Sequence, residues 1–151
     1  MKRFQFIFIG LISATTFAQS YPPAAGQEGS TAISHDSEVF VGWANGATIE
    51  RGLVDISNPE AQDQGSNYAS FGTANDAIGI ADGTVVSLGD QGTAILTFKT
   101  PIGNGSGFDF AVFENSFSDT FLELAFVEVS SDGINFFRFP SHSETQTETQ
   151  V

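Results

Sequence analysis

The sequence predicts an all-β fold, an antiparallel β-sandwich or jelly roll, and three observations support this. Short apolar segments recur at intervals of roughly 8–14 residues, separated by clusters of Gly, Pro, Asn and Asp. No segment keeps apolar residues at helical spacing over the length that would predict an amphipathic helix. Nine of the 16 Phe residues fall within residues 107–140. This stretch is therefore the predicted centre of the sheets, because aromatic residues favour strands.

Within residues 107–140, strands are predicted over 108–114, 121–130 and 136–139. Each of the three segments is rich in aromatic and β-branched residues. Each also ends at a residue or turn that stops a strand, at Asn115, at Ser131-Asp132-Gly133 and at Pro140.

A hairpin is predicted upstream, with strands at 84–88 and 93–98 joined by a tetrapeptide of Gly, Asp and Gln. Along the second strand Ala94, Leu96 and Phe98 share one face and Thr93, Ile95 and Thr97 share the other, as in a half-buried antiparallel strand. Residues 39–43 are apolar almost throughout and predict a short buried strand. The dipeptide Asn45-Gly46 after them predicts a tight turn.

Residues 58–67 predict a long connection rich in polar residues and Gly. An irregular loop of this length is uncommon in a compact domain unless it is functional or held in order by other groups. Tyr68, directly after it, and Trp43, the only Trp, are candidate platforms for stacking against a sugar ring. Packing in the core is the alternative role for Trp43.

The 151 residues predict a single domain with additional segments at both ends. Residues 1–18 have a basic start, an apolar run and a small-residue cleavage site, which predict a secretory signal peptide and not a membrane anchor. Residues 19–29 are expected to be an extended leader and residues 30–140 the sandwich. The polar tail, 141–151, is expected to be the cut end of a longer domain, because no closing strand covers the last edge.

Charge and cysteine content narrow the function classes. The chain contains no Cys, so it has neither disulfides nor a lipidated Cys, and its formal net charge is −13. Without Lys2 and Arg3 the mature chain has 3 basic and 18 acidic residues, a net charge of 3 − 18 = −15. Such a charge disfavours nucleic acid and anionic lipid as partners and attracts hard divalent cations.

Two motifs resemble known proteins. Residues 127–136 (VEVSSDGINF) are similar to a hairpin of discoidin-like, galactose-binding-type jelly rolls. More widely, the segments VGWANG, DFAVFEN and LELAFVEVSS resemble a family of bacterial secreted and cell-surface proteins, often sorted by type IX secretion. The resemblance implies an all-β fold and a secreted or cell-surface location in a Gram-negative bacterium. It implies no catalytic residues.

Few residues in the chain suit catalysis or tight metal binding. With two His, no Cys and no Gly-x-Ser-x-Gly motif, a serine-hydrolase triad and a zinc site are both disfavoured. Loop carboxylates and amides suit Ca²⁺ better. The candidate calcium ligands are Asp109, Glu114, Asn115 and Asp119, in and after the predicted strand 108–114. The alternative is that these residues are solvated loop side chains that bind no metal.

Five residues are predicted to hold the hairpin over 127–139 together. Ser131 and Asp132 are expected to bond forward to turn amides while Gly133 takes a positive φ. Arg138 is expected to pair across the strands with Glu128, which would otherwise be a carboxylate in apolar surroundings.

These observations together predict a non-enzymatic, secreted β-sandwich that binds carbohydrate or extracellular matrix, with structural calcium and no nucleic-acid partner. One alternative is a fragment of a glycoside hydrolase, which needs two carboxylates about 5–10 Å apart beside a cleft. The other is a structural spacer domain without a ligand.

Overall fold

The computed structural model describes residues 25–115 and 123–141. Its strands are β1 (Gly46–Glu50), β2 (Thr93–Thr97), β3 (Glu128–Val129) and β4 (Phe137–Arg138), and one turn of 3₁₀ helix spans Ala74–Ala77. The strands form two antiparallel sheets, β1 with β2 and β3 with β4. The expectation of a β-rich chain is confirmed, but the described residues form two small sheets and not a sandwich or jelly roll.

The pairing of β2 differs from the prediction. β2 lies within the predicted strand 93–98, but its partner is β1, with Gly46 opposite Thr97 and Glu50 opposite Thr93. The predicted hairpin partner, 84–88, forms no strand. The reason lies at Asp90, in the predicted turn, which exchanges two backbone hydrogen bonds with Leu53. The predicted turn therefore pairs with the segment around Leu53 and does not fold 84–88 back onto β2.

The predicted tight turn at Asn45-Gly46 is also wrong. Gly46 begins β1, and the amide of Asn45 donates to the carbonyl of Thr97 at 2.9 Å. A Cβ on Gly46 would lie 2.5 Å from Oγ1 of Thr97. A side chain at this position would force the Thr97 hydroxyl to move, so Gly46 serves a contact between two strands and not a turn.

The aromatic-rich stretch forms less regular structure than predicted. Residues 108–114 contain no strand. In the described part of the second predicted strand, residues 123–130, only β3 is strand, and the third predicted strand shortens to β4. Residues 39–43 contain no strand either, and the Val41 side chain is fully exposed. No apolar side chain among the described residues is buried, so apolar packing is confined to small clusters.

Several expectations lie outside the described residues. These are the signal peptide 1–18, leader residues 19–24, Asp119 and the tail from residue 142. Within the described residues, no helix has the length and hydrophobicity needed to cross a membrane.

Candidate functional site

A set of hydrogen bonds between segments distant in sequence is centred on Arg51, which follows β1 directly. Its guanidinium donates to three backbone carbonyls, those of Phe71 and Gly72, both at 2.8 Å, and that of Ser87. Arginine suits this role because its planar group presents several donors in a fixed arrangement. Arg51 therefore joins the end of β1 to two segments distant in sequence.

Backbone hydrogen bonds continue this framework through the next two residues. Gly52 donates to the carbonyl of Leu88 at 2.7 Å and accepts from the amide of Ala69 at 3.0 Å. Leu53 forms isolated antiparallel β-bridges with Tyr68 and with Asp90. A Cβ on Gly52 would collide with the backbone of Asp90 and lie 2.5 Å from the amide of Gly92. Only glycine fits at this crossing of three segments.

The framework supports a closed loop over residues 54–67, here called the polar loop. Its ends meet where the amide of Val54 donates to the carbonyl of Asn67 at 2.8 Å. The Asn67 side chain donates across the loop to the carbonyl of Pro59 at 2.9 Å and accepts from Gln62 at 3.2 Å. These bonds explain how so long a connection keeps one conformation.

The tip of the polar loop is a two-residue turn. Asp63 and Ser66 exchange backbone hydrogen bonds of 2.9 and 3.0 Å. Both residues between them have positive φ, 50° at Gln64 and 83° at Gly65. Such values are those of a type I′ turn, which suits the twist of a short antiparallel pair.

Two carboxylates fix the start of the polar loop. Oδ1 of Asp55 accepts from the hydroxyl and amide of Ser57 at 2.6 and 2.8 Å, and from the amide of Asn58 at 3.2 Å. These hydrogen bonds lower the pKa of Asp55, and the bond from the Ser57 hydroxyl has the largest effect. Oδ2 of Asp90 accepts from the amide of Ile56 at 2.8 Å. The loop is therefore anchored to the framework by side chains as well as by its ends.

Tyr68 lies where the polar loop returns to the framework. Its amide donates to Oγ of Ser66 at 3.0 Å, and that hydroxyl donates to the Tyr68 carbonyl at 2.8 Å. Together with the Leu53 bridge, these bonds fix the backbone of Tyr68. Its side chain remains 55% exposed. An exposed aromatic side chain therefore stands on a fixed backbone directly after the polar loop.

Trp43 is placed differently from Tyr68. Its ring lies 5.3 Å from the ring of Phe40 and 5.6 Å from that of Phe113, in tilted arrangements. The Phe40 and Phe113 rings also meet each other, edge to face, at 5.7 Å. Trp43 therefore contributes to an aromatic cluster, and of the two sequence-predicted platforms Tyr68 presents the freer ring.

Of the candidate calcium ligands, Asp109, Glu114 and Asn115 lie within the described residues. Oδ1 of Asp109 accepts from the amide of Gly105 at 2.8 Å, and Oε1 of Glu114 accepts from the amide of Glu123 at 3.3 Å. Asn115 follows Glu114 on the exposed surface. Over residues 25–115 and 123–141, no group of three or more His, Asp or Glu residues is arranged to hold a metal ion.

The β3–β4 hairpin contains the ion pair expected from the sequence. Glu128 lies opposite Arg138, and Oε1 accepts from Nε at 2.7 Å. The Arg138 guanidinium also lies 4.2 Å from the ring centre of Phe126. The pair is partly open to solvent, because the side chain of Glu128 is 35% exposed and that of Arg138 is 54% exposed.

The turn of this hairpin is closed by Ser130 and Asp132. Oδ1 of Asp132 accepts from the amides of Ile134 and Asn135 at 2.9 and 2.8 Å. Oγ of Ser130, and not of Ser131 as expected, accepts from the amide of Gly133 at 2.9 Å. Gly133 has φ 70°. Hydrogen bonds to the Asp132 carboxylate hold its pKa far below the usual range. The amide and side chain of Asn135 have the largest effect, and Ile134 and Ser130 have smaller ones.

No known protein family model matches this chain, and no curated protein or solved structure is significantly similar to it.

Sequence reasoning anticipated the polar loop and Tyr68 but missed the residues that position them. Arg51 gave no signal, because its acceptors are backbone carbonyls and such partners leave no residue pattern. Asp55 followed by Ser57 could have been recognised, since Asp commonly accepts from the backbone two residues on. Asp90 was taken for part of a hairpin turn.

Proposed function

We propose that this protein is a secreted, non-enzymatic carbohydrate-binding module in which Tyr68 and the polar loop form the sugar site. The observation that carries the proposal is the exposed Tyr68 ring on a backbone fixed by the polar loop. A tyrosine ring offers an apolar face for the C–H groups of a sugar and a hydroxyl for its polar edge. Because loops held by a rigid scaffold often carry binding residues, the location supports the same function.

The polar loop provides groups that can bind sugar hydroxyls. The side chains of Asn58, Asp63 and Gln64 are exposed, and none of them makes a hydrogen bond within the described part of the chain. Gln62 and Asn67 are instead used to hold the loop's shape. A loop already ordered before binding loses less conformational entropy when a ligand arrives, which favours affinity.

Net charge narrows the class of ligand. At −13 the protein repels acidic polysaccharides, so neutral polysaccharides of the cell exterior are the favoured ligands. The predicted signal peptide and the resemblance to surface proteins support a secreted or cell-surface location for such binding.

The proposal includes a structural Ca²⁺ ion, because the protein is strongly acidic and has carboxylates available to bind it. Asp109 and Glu114 are exposed carboxylates that each accept one backbone hydrogen bond and have further lone pairs available. Ca²⁺ takes oxygen ligands of this kind in flexible geometry. Calcium would then stabilise the fold and would not itself contact the sugar.

Isothermal titration calorimetry against a panel of soluble neutral polysaccharides tests the proposal. We expect the Tyr68→Ala variant to bind about tenfold more weakly than the unmodified protein, as when an aromatic residue is removed from a binding site. The matched control is Phe137→Ala in the β3–β4 sheet, which removes an aromatic side chain that is 71% exposed. This control variant should bind polysaccharide as the unmodified protein does.

Three results would contradict the proposal. Absence of binding throughout the panel would favour the spacer alternative. An equal loss of affinity in the two variants would show that exposed aromatic residues bind non-specifically. Hydrolysis of the polysaccharide would favour the hydrolase alternative.

A further inference from the structure

An apolar groove lies on a part of the protein separate from the polar loop. Two segments distant in sequence, residues 30–33 and 108–112, line this groove of about 390 Å³. Its apolar side chains include Ile33, Phe108 and Val112, which are 36%, 78% and 66% exposed. Because these side chains lie together in one groove and not singly on the surface, they form a patch that a ligand can cover.

Neither segment has a strand partner within the described part of the chain. The chain runs without a turn or bend over residues 30–34 and again over 108–115. Within the described part of the chain, residues 108–114 make no backbone–backbone hydrogen bond, and the amides of Thr31 and Ile33 donate none. A row of unpaired amides and carbonyls is a template for pairing with another strand. The occupant that satisfies them is an extended polypeptide.

The charge around the groove defines the partner further. Residues 25–50 and 100–115 contain no Lys or Arg, but they include Glu28, Asp109 and Glu114 close in sequence to the lining segments. A second copy of the chain would bring a further charge of −13. Like charges at close range oppose association, whereas a basic segment is attracted.

We propose that the apolar groove binds, by strand addition, an extended basic segment of another polypeptide. Side chains alternate between the two faces of a strand. A segment in which Val or Ile alternates with Lys or Arg would place apolar side chains against the groove and basic ones toward the acidic surface and solvent.

Synthetic peptides added to the full protein test this proposal. The probe is a capped peptide of alternating Lys and Val carrying a fluorescent label, with binding followed by anisotropy. One control has the same composition in separate Lys and Val blocks, and the second is the alternating peptide with N-methyl groups on every other amide. We expect the alternating peptide to bind at least about tenfold more tightly than both, since only it offers both the pattern and the amides.

Two valine variants provide the control within the protein. Val112→Lys puts a positive charge into the groove and should weaken binding about tenfold through like-charge repulsion. Val41→Lys makes the same change at a fully exposed side chain outside the groove lining and should leave binding unchanged.

Equal affinity for all three peptides would overturn the proposal, because charge attraction alone would then explain the binding. Equal affinity of the two variants would also overturn it. Self-association of the unmodified protein that Val112→Lys abolishes, measured by sedimentation, would replace the basic partner with a second copy.

Discussion

Replacing Arg51 by Met should destabilise the fold by about 3 kcal/mol, because Arg51 donates to three backbone carbonyls from segments distant in sequence. Met keeps an unbranched side chain but removes every donor. The carbonyls of Phe71, Gly72 and Ser87 would then depend on water at a site that is only partly accessible to it.

The magnitude follows from the number of bonds and their exposure. Hydrogen bonds to a charged group contribute about 1.5–3 kcal/mol each, so three such bonds set an upper limit of about 4.5–9 kcal/mol. Two of the three bonds are only partly buried and the third is exposed. Water can replace part of what is lost, which reduces the expected cost to about 3 kcal/mol.

Urea denaturation measures this cost directly. With a slope of about 1–3 kcal/mol per molar, the unfolding midpoint should fall by about 1–3 M without a change of slope. Arg51→Lys should recover only part of the loss, because a single ammonium group cannot reproduce the planar set of donors.

The control for Arg51→Met is Arg138→Met, which breaks an exposed ion pair and should cost no more than about 1 kcal/mol. Equal costs for the two variants would refute the reasoning. So would a cost below about 0.5 kcal/mol for Arg51→Met, the range of ordinary surface substitutions.

Three further predictions concern the hairpin turn and calcium. Gly133→Val should cost about 1–3 kcal/mol in a denaturant melt, since a β-branched residue resists the observed φ of 70°; a neutral result would exclude this turn type. The pKa of Asp132 is lowered on folding, so its contribution is present above the unfolded-state pKa and is lost as the pH falls through the folded-state pKa. Asp132→Asn should therefore be less stable than the unmodified protein at neutral pH, with a gap that narrows on acidification below about pH 4, whereas a constant gap would contradict the assignment. Calcium should raise the melting temperature by several degrees more than magnesium at equal ionic strength, and Glu114→Gln should remove the difference; equal shifts with both ions would leave only charge screening.

Local features were predicted from the sequence better than long-range ones. The turn at residues 130–135 was anticipated because its hydrogen bonds join neighbours, so the motif contains both donors and acceptors. β2 was located by alternation, but alternation says nothing about the partner strand. Its true partner, β1, begins at Gly46, which sequence reasoning assigned to a turn because glycine serves both purposes.

In the candidate site, too, local features were predicted from the sequence and long-range contacts were not. The length and composition of residues 58–67 predicted a loop held in order by other groups, and the structure shows such a loop closed by Asn67 and Gln62. Its support by Arg51 was not predictable, because three backbone carbonyls from distant segments leave no mark in the sequence. The apolar groove was missed because the apolar run 108–114 was assigned to a paired strand.

The most direct test of the account is a titration of the ¹⁵N-labelled protein with an oligosaccharide from the tightest-binding polysaccharide, followed by amide chemical shifts. At 16.0 kDa the chain is suited to this measurement. We expect the shifts to concentrate in residues 54–68, to saturate at the calorimetric affinity and to be lost in Tyr68→Ala. Shifts confined to residues outside this range, or a Tyr68→Ala variant that responds like the unmodified protein, would contradict it.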